Sequence, residues 1–305
     1  MTTTDLQLDA SRISAEIERI AAFLRNHVAD AQSVVLGLSG GIDSDLTARL
    51  AVTALGVRRV KFFTVLQSGM EDRHLHNART LAAELGVALA ELPLGAWPGA
   101  LIGALADADP GEGFRKDGFL DVGRAKNSLR TVIYSTYHDR GYVTLGTSNR
   151  TEVECGFFVR LGDGIWHLGP IAHLYKTQVY QLAQAMGCRD EVIRQPASAG
   201  YWQGESDLED LAYWMVNAAP IGAQRDFSAA EIALANAIHS ELSFERLDLG
   251  LATIAGGAFS PAVIAQASGL TVPTAERLIH LVAAAKRIKG SILGVQLAPL
   301  LDQSS

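Results

Sequence analysis

SVVLGLSGGIDSDLTARLAVTAL, residues Ser33 to Leu55, joins three textures in one short stretch. Val34, Val35, Leu36 and Leu38 make an apolar, β-branched run of the kind that forms a buried strand, with Gly37 inside its end. Ser39, Gly40, Gly41, Ile42, Asp43 and Ser44 follow, and then Leu46, Leu50 and Leu55 recur at helical spacing among alanines. Strand, glycine turn and helix together aim backbone N–H groups and the positive end of a helix at an anion. Gly40 and Gly41 let the main chain approach a phosphate with no Cβ in the way, and Ser39 and Ser44 offer hydroxyl donors. The common phosphate loop, G-x-x-x-x-G-K-[ST], is excluded, because no lysine follows the second glycine and a carboxylate, Asp43, stands inside the turn. A carboxylate beside a polyphosphate repels it unless a cation joins them, so the pairing implies Mg²⁺. An ordinary strand-to-helix turn accounts for a bare Gly-Gly better than for the whole of SGGIDS.

The stretch resembles the SGGxDS pyrophosphate-binding loop of the ATP pyrophosphatases, a superfamily that includes NAD, GMP and asparagine synthetases and tRNA-modifying enzymes. That resemblance implies ATP as co-substrate.

The totals narrow the class. The chain has 305 residues, of which 48% are apolar and 19% charged, which suits a globular protein with a sizeable core. A net charge of −7 argues against a nucleic-acid surface as the main business. The two cysteines, Cys155 and Cys188, stand in no metal or redox spacing and fit free thiols in a reducing compartment. No signal-like start and no apolar run of about 20 residues is present, so a cytoplasmic protein with no membrane span is expected.

Residues 11 to 29 carry an amphipathic helix with Ser11 as its cap, and VKFFTVL, residues 60 to 66, a second buried strand. A helix over 71 to 85, ended by Gly86, precedes a short strand in VALAELPL. Alternating strands and helices predict an α/β fold with a doubly wound, mostly parallel sheet and helices on both faces. Ligands of such sheets sit at the carboxyl ends of the strands. The glycine loop lies at one such end, and Gln67, Ser68 and Gly69 lie at the next, where an adenosine fits. Residues 93 to 123, rich in Gly, Pro, Ala and Asp, read as a loop or mobile cover with a short helix near 99–106. Lys126 and Arg130 share a face of the next helix. A strand is expected from Tyr142 to Leu145, with Gly146 to Asn149 turning off its end toward Glu152. If Asp43 and Glu152 lie at neighbouring strand ends, the two carboxylates can share a Mg²⁺ on a triphosphate. After a turn at Gly162-Asp163-Gly164, Pro170 is read as a helix entry, and Leu174 to Met186 as a helix with Lys176 in its first turn. A lysine there opposes the helix dipole and hints at an anionic ligand.

GTSNRTE, FFVRLGDG and PIAHLYKTQVYQLAQAMG, and less closely QPASAGYWQGESDLEDLAY, resemble the corresponding run of the ammonia-dependent NAD synthetases. The resemblance covers most of residues 10 to 211 and, weakly, 258 to 285. It implies an adenine nucleotide alpha-hydrolase-like fold over 1–211, a helical C-terminal region over 212–305 packed on it or at a dimer interface, and a homodimer. By residue, it implies that Ser39 to Ser44 hold pyrophosphate, that Asp43 and Glu152 bind Mg²⁺, and that Thr147 and Lys176 contact ATP. Asp43 and Lys176 are thus the expected catalytic pair. On the acid side the family pattern is altered. A substrate-contacting lysine is Arg160 here, which keeps the charge but not its geometry. An aspartate contacting the deamidated dinucleotide is His167. A threonine is Ala197, with Ser198 beside it for the nucleotide, and one of two helix arginines is Ser128, leaving Arg130.

The activity implied is a two-step amide synthesis in which a small-molecule carboxylate is adenylated by ATP and then attacked by ammonia. The preferred acid is deamido-NAD, and the alternative is a paralogue that amidates a different carboxylate. No glutaminase half is visible, so nitrogen is expected as free ammonia or from a separate amidotransferase. A third class, a non-catalytic nucleotide sensor or DNA-binding regulator, draws on the helix–turn–helix rhythm of 261–283, with Gly269 at its turn. Its second helix carries one arginine, Arg277, and retention of both Asp43 and Glu152 counts against a mere sensor. Residues 212 to 250 are longer than the family's connection and receive no role from the sequence.

Overall fold

The structure is a computed structural model and describes residues 6–66, 70–198, 204, 206–223, 225–289 and 293–297. In chain order its elements begin α1 (Ala10–His27), β1 (Val34–Gly37), α2 (Ile42–Leu55), β2 (Val60–Leu66), α3 (Asp72–Leu85) and β3 (Leu89–Pro93). They continue with α4 (Trp97–Ala108), α5 (Phe119–His138), β4 (Val143–Thr144), α6 (Arg150–Cys155), β5 (Ile165–Gly169), α7 (Lys176–Ala185) and α8 (Asp190–Arg194). The last are α9 (Asp207–Asn217), α10 (Ala229–Glu241), α11 (Phe244–Ala255), α12 (Pro261–Ser268), α13 (Val272–Lys289) and β6 (Leu293–Gln296).

β1 is central because its residues are apolar on both faces. Val34 and Leu36 enter a core shared with α1, α2, α3 and α7. Val35, pointing the other way, packs with Phe63 of β2 and Tyr134 of α5. The sheet order is β3-β2-β1-β4, every pairing is parallel, and a bridge between Leu145 and Leu168 carries it on to β5, which pairs with β6. The chain winds outward from β1 in both directions, so a crevice opens between the carboxyl ends of β1 and β4, where a doubly wound sheet binds its ligand.

A second core joins Cys155 of α6 and Tyr175 to Leu211, Leu247, Leu251 and Leu278. Residues beyond 212 therefore pack directly on the segments that carry Glu152 and Lys176. Gly269, at φ +75°, ends α12 in the left-handed conformation ahead of α13.

Several expectations are corrected. The cap of α1 is Asp9, which accepts from the Arg12 N–H at 2.9 Å, while Ser11 bonds Asp9 instead. Much of 93–123 is helical: α4 starts with Pro98 in its first turn, where the missing N–H costs nothing, and extends past the short helix expected there. Pro170 does not open a helix, since the chain turns over 170–173 and α7 begins at Lys176. β5 and β6 were not anticipated. Gln67, Ser68 and Gly69 lie outside the described residues.

Candidate active site

The loop after β1 is built as an anion cradle. Gly40 has φ +78°, and a Cβ there would stand 2.1 Å from the His74 carbonyl oxygen of α3, so conformation and space both require glycine. Gly37 is less confined, with Phe63 Cζ 3.0 Å from an added Cβ, and its N–H donates to the Tyr134 hydroxyl at 3.2 Å. Ser44 Oγ donates to the Gly41 carbonyl at 2.9 Å and accepts from the Ser39 N–H at 3.2 Å, which closes the turn on itself. Gly41 caps α2 with no side chain over it, leaving the first-turn N–H groups facing the crevice.

Asp43 stands in that first turn. Its Oδ1 accepts from the Asn149 side-chain amide at 2.9 Å, and the same Nδ2 reaches Glu152 Oε1 at 2.7 Å. Asn149 is also the cap of α6: its Oδ1 accepts the Glu152 N–H at 3.0 Å and the Glu152 carboxylate reaches back to the Asn149 N–H. One asparagine thus bridges two carboxylates from the first turns of different helices, α2 and α6. Lys176 Nζ lies 2.5 Å from Asp43 Oδ2 and 3.9 Å from Glu152 Oε1, with its side chain 2% exposed. Burial works against the Lys176 charge, but Asp43 and Glu152 outweigh it and hold its pKa above the ordinary value. Burial, reinforced by Asp43, pushes Glu152 well above the ordinary carboxylate range, against the pull of Lys176. Asp207, at the start of α9, adds a third negative charge to the same pocket.

Behind the ion pair stands a buried scaffold from the C-terminal helices. Asp248 of α11 accepts from Thr151 Oγ1 at 2.5 Å and from the Thr177 N–H at 2.8 Å, and the Lys176 N–H donates to the same Thr151 oxygen at 2.9 Å. Asp248 therefore ties α6 to α7 one residue away from Glu152 and from Lys176.

The pocket at the crevice has a volume of about 160 Å³ and is lined by Gly37, Ser39, Gly41 and Asp43 on the β1 side, and by Thr147 and Glu152 on the β4 side. Lys176, Ser198 and Arg130 complete the expected residues that line it, while Gly40 and Ser44 shape the loop from behind. Among the described residues no protein hydrogen bond or ion pair holds the Arg130 guanidinium. Arg160 and His167 are not brought to this pocket. Arg160 is exposed in the turn before β5. His167 faces away from it, its Nδ1 2.8 Å from Thr144 Oγ1 and its ring 4.6 Å from that of His138. Successive strand residues point to opposite faces, and the neighbouring Trp166 takes the pocket side. Trp166 lies flat on three glycines: a Cβ on Gly146, Gly169 or Gly294 would come within 2.2 to 2.3 Å of its ring.

Asn149 and Asp207 were missed as site residues. The asparagine had a signal, since Asn three positions before Glu152 is a capping-box spacing.

The donor set fits Mg²⁺. Asp43 and Glu152 are hard oxygen donors that face a pocket rather than each other alone, and a cation between them would restore the Glu152 charge that burial and Asp43 disfavour. Among the described residues no group of three or more His, Cys, Asp or Glu is gathered to hold a metal by itself, so phosphate oxygens would supply much of such a shell.

The fold is of the adenine nucleotide alpha-hydrolase-like type, and its solved neighbours include NAD synthetases. The sequence model of NAD synthase matches residues 16–235, and the chain belongs to that family of ligases. It is 30% identical over 197 residues to an NH(3)-dependent NAD(+) synthetase of Thermoplasma acidophilum, covering 64% of this chain and 78% of that one. A second NH(3)-dependent NAD(+) synthetase, from Halobacterium salinarum, is 32% identical over 211 residues, or 68% and 76% of the two chains. An NAD+ synthetase structure from Burkholderia pseudomallei superposes with a TM-score of 0.60 at 22% identity, over 94% of this chain and 93% of that one.

Proposed function

We propose that the chain is an ammonia-dependent, AMP-forming ligase that converts deamido-NAD to NAD. The observation that carries this reading is the Asp43–Asn149–Glu152–Lys176 constellation beside an anion cradle at the sheet's switch point. In the first step a carboxylate oxygen of the acid attacks the α-phosphorus of ATP and the bond to the β-phosphate oxygen breaks. The acyl-adenylate remains and pyrophosphate leaves. In the second step ammonia attacks the acyl carbon, the bond to AMP breaks, and the nitrogen sheds a proton to solvent. The chain's part is positioning and charge. The N–H groups at the start of α2 receive the leaving pyrophosphate, Lys176 holds negative charge beside Asp43, and Thr147 and Ser198 orient the nucleotide. Mg²⁺, held by Asp43 and Glu152, would neutralise the triphosphate oxygens. Arg130 faces the pocket with a guanidinium open to the acid.

The same reading takes residues 1–211 as the ATP-binding domain, with 212–305 packed on it, in a cytoplasmic homodimer fed by free ammonia or by a separate amidotransferase. Among the described residues no helix is long and apolar enough to cross a membrane. The location of Arg160 and His167 off the pocket favours one second reading, a paralogue whose ATP side is kept and whose acid differs. Pyrophosphate release from ATP, Mg²⁺ and ammonium decides between them, measured with and without deamido-NAD and with product mass recorded. NAD formation supports the first reading. Silence with deamido-NAD, but release with another carboxylate, refutes it in favour of the second.

A further inference from the structure

The Lys176 ammonium has two kinds of neighbour. Two are the carboxylates of Asp43, 2.5 Å away, and Glu152, 3.9 Å away. The third is an aromatic face: Nζ stands over the ring of Phe244, 5.5 Å from its centroid. Phe244 is the first residue of α11, where Ser243 caps the helix by accepting the Arg246 N–H at 3.3 Å. Asp248 stands one turn further along the same helix face and, through Thr151 and the Thr177 N–H, ties down the backbone around Lys176. Tyr180 of α7, one turn beyond Lys176, braces the Phe244 ring, with centroids 6.3 Å apart and planes tilted by 50°. One helix thus grips both ends of the lysine, and it begins inside the stretch 212–250 that receives no role from the sequence.

The two kinds of contact respond differently to a nucleotide. Asp43 and Glu152 are the residues that would hold Mg²⁺, and triphosphate oxygens compete with them for the same ammonium. A carboxylate fixes an N–H along a lone pair. An aromatic face attracts a cation through its quadrupole, asks for no particular N–H, and so leaves all three lysine donors available to phosphate. The Lys176 side chain is 2% exposed, so little water screens that attraction. Phe244 itself packs against the second core, a place that a leucine would also fill, but a leucine offers the ammonium nothing.

We propose that Phe244 is a positioning residue for Lys176: its ring holds the ammonium in place while the carboxylates beside it turn to the incoming nucleotide. The proposal rests on the ligase reading above and gives the start of α11 a part in it. Phe244 touches no reacting atom and acts through the charge that Lys176 brings to the leaving pyrophosphate. Its loss therefore lowers kcat and leaves the KM for deamido-NAD unchanged.

Phenylalanine carrying one, two and three ring fluorines at position 244 of the full chain weakens the quadrupole stepwise at nearly constant shape, a change that packing alone does not register. With deamido-NAD, ATP, Mg²⁺ and ammonium, kcat for pyrophosphate release should fall in step with fluorination. In Phe244→Leu it should fall about tenfold, with the KM for deamido-NAD within about twofold of the wild type. Phe244→Tyr, which keeps the aromatic face, should recover most of kcat. Melting temperatures of the fluorinated proteins should match that of the wild type. A second readout needs no turnover: the Hε proton resonances of Lys176, beside a nitrogen that stands over the ring, should lie upfield and move downfield in Phe244→Leu. A flat kcat across the fluorine series, a fall that follows melting temperature instead, or unmoved Lys176 resonances would overturn the proposal. If the wild type releases no pyrophosphate with any acid, deamido-NAD included, the ligase reading fails, and the resonances alone then decide whether the ring holds the ammonium.

Discussion

Asp248 should make the folded chain lose stability as pH rises from about 4 to about 7. Its carboxylate is fully buried, and burial raises its pKa from 3.8 to about 7, with the Thr151 and Thr177 hydrogen bonds pulling only part of the way back. Between those values the folded state keeps a proton that the unfolded chain has already lost, so stability falls with pH through the window. At about 1.4 kcal/mol per pH unit, the gap corresponds to about 4 kcal/mol. Asp248→Asn removes the titration and keeps the geometry. Its oxygen can accept the Thr177 N–H, and its amide can donate to Thr151 Oγ1, which already accepts from Lys176. Urea unfolding of both proteins at stepped pH is the assay, because every other titrating group cancels in the difference. The variant should gain on the wild type by about 4 kcal/mol across the window. A difference that stays flat, or slopes the other way, would refute the burial argument.

Lys176→Met should cost about 1–3 kcal/mol of stability, because it leaves the half-buried Asp43 and Glu152 carboxylates without their cation, and should lower Mg²⁺-dependent pyrophosphate release at least a hundredfold. Wild-type unfolding and turnover together would disprove it. Asp43→Ala and Glu152→Ala should each abolish AMP and pyrophosphate formation while the circular dichroism spectrum stays that of the wild type; near-normal turnover in either would remove the metal assignment. Asn149→Ala should destabilise α6 by about 1 kcal/mol through loss of its cap and should also raise the Mg²⁺ concentration needed for half-maximal release. An unchanged Mg²⁺ requirement would reduce Asn149 to a cap alone. Gly40→Ala must push on the His74 carbonyl from a left-handed backbone, so nucleotide affinity measured by titration should fall at least tenfold. Equal affinity would mean that α3 yields.

Legibility followed distance along the chain. The β1–loop–α2 unit is local, and its strand run, glycines and helix periodicity could be read from Ser33 to Leu55 alone. The partnership of Asp43 with Glu152 and Lys176 depended on the order β1-β4, which sequence can suggest but not impose. α4 was read as a short helix near 99–106 but not to its full extent, because its alanines, glycines and prolines mimic loop composition, although Pro98 in a first turn is a helix-start signal. β5 hid because IWHLG alternates poorly and its register slips between Ile165 and Leu168. The same strand explains why His167 parted company with the pocket: position in a motif carries no information about which face of an irregular strand a residue takes. Asp248 had no sequence signal at all, since its role arises only where α11 crosses the starts of α6 and α7.

The seat of Trp166 has a consequence for how the protein is made. Its pyrrole end lies on Gly146 and its benzo end on Gly169, which are synthesised within a few dozen residues of it, but the third glycine is Gly294 of β6. A ribosome has delivered the anion loop, both carboxylates and the lysine long before that strand emerges. The wall of the pocket is therefore finished only after every residue that lines it has emerged, and a nascent chain should acquire nucleotide affinity in one step, once β6 is made, rather than gradually as its binding residues appear.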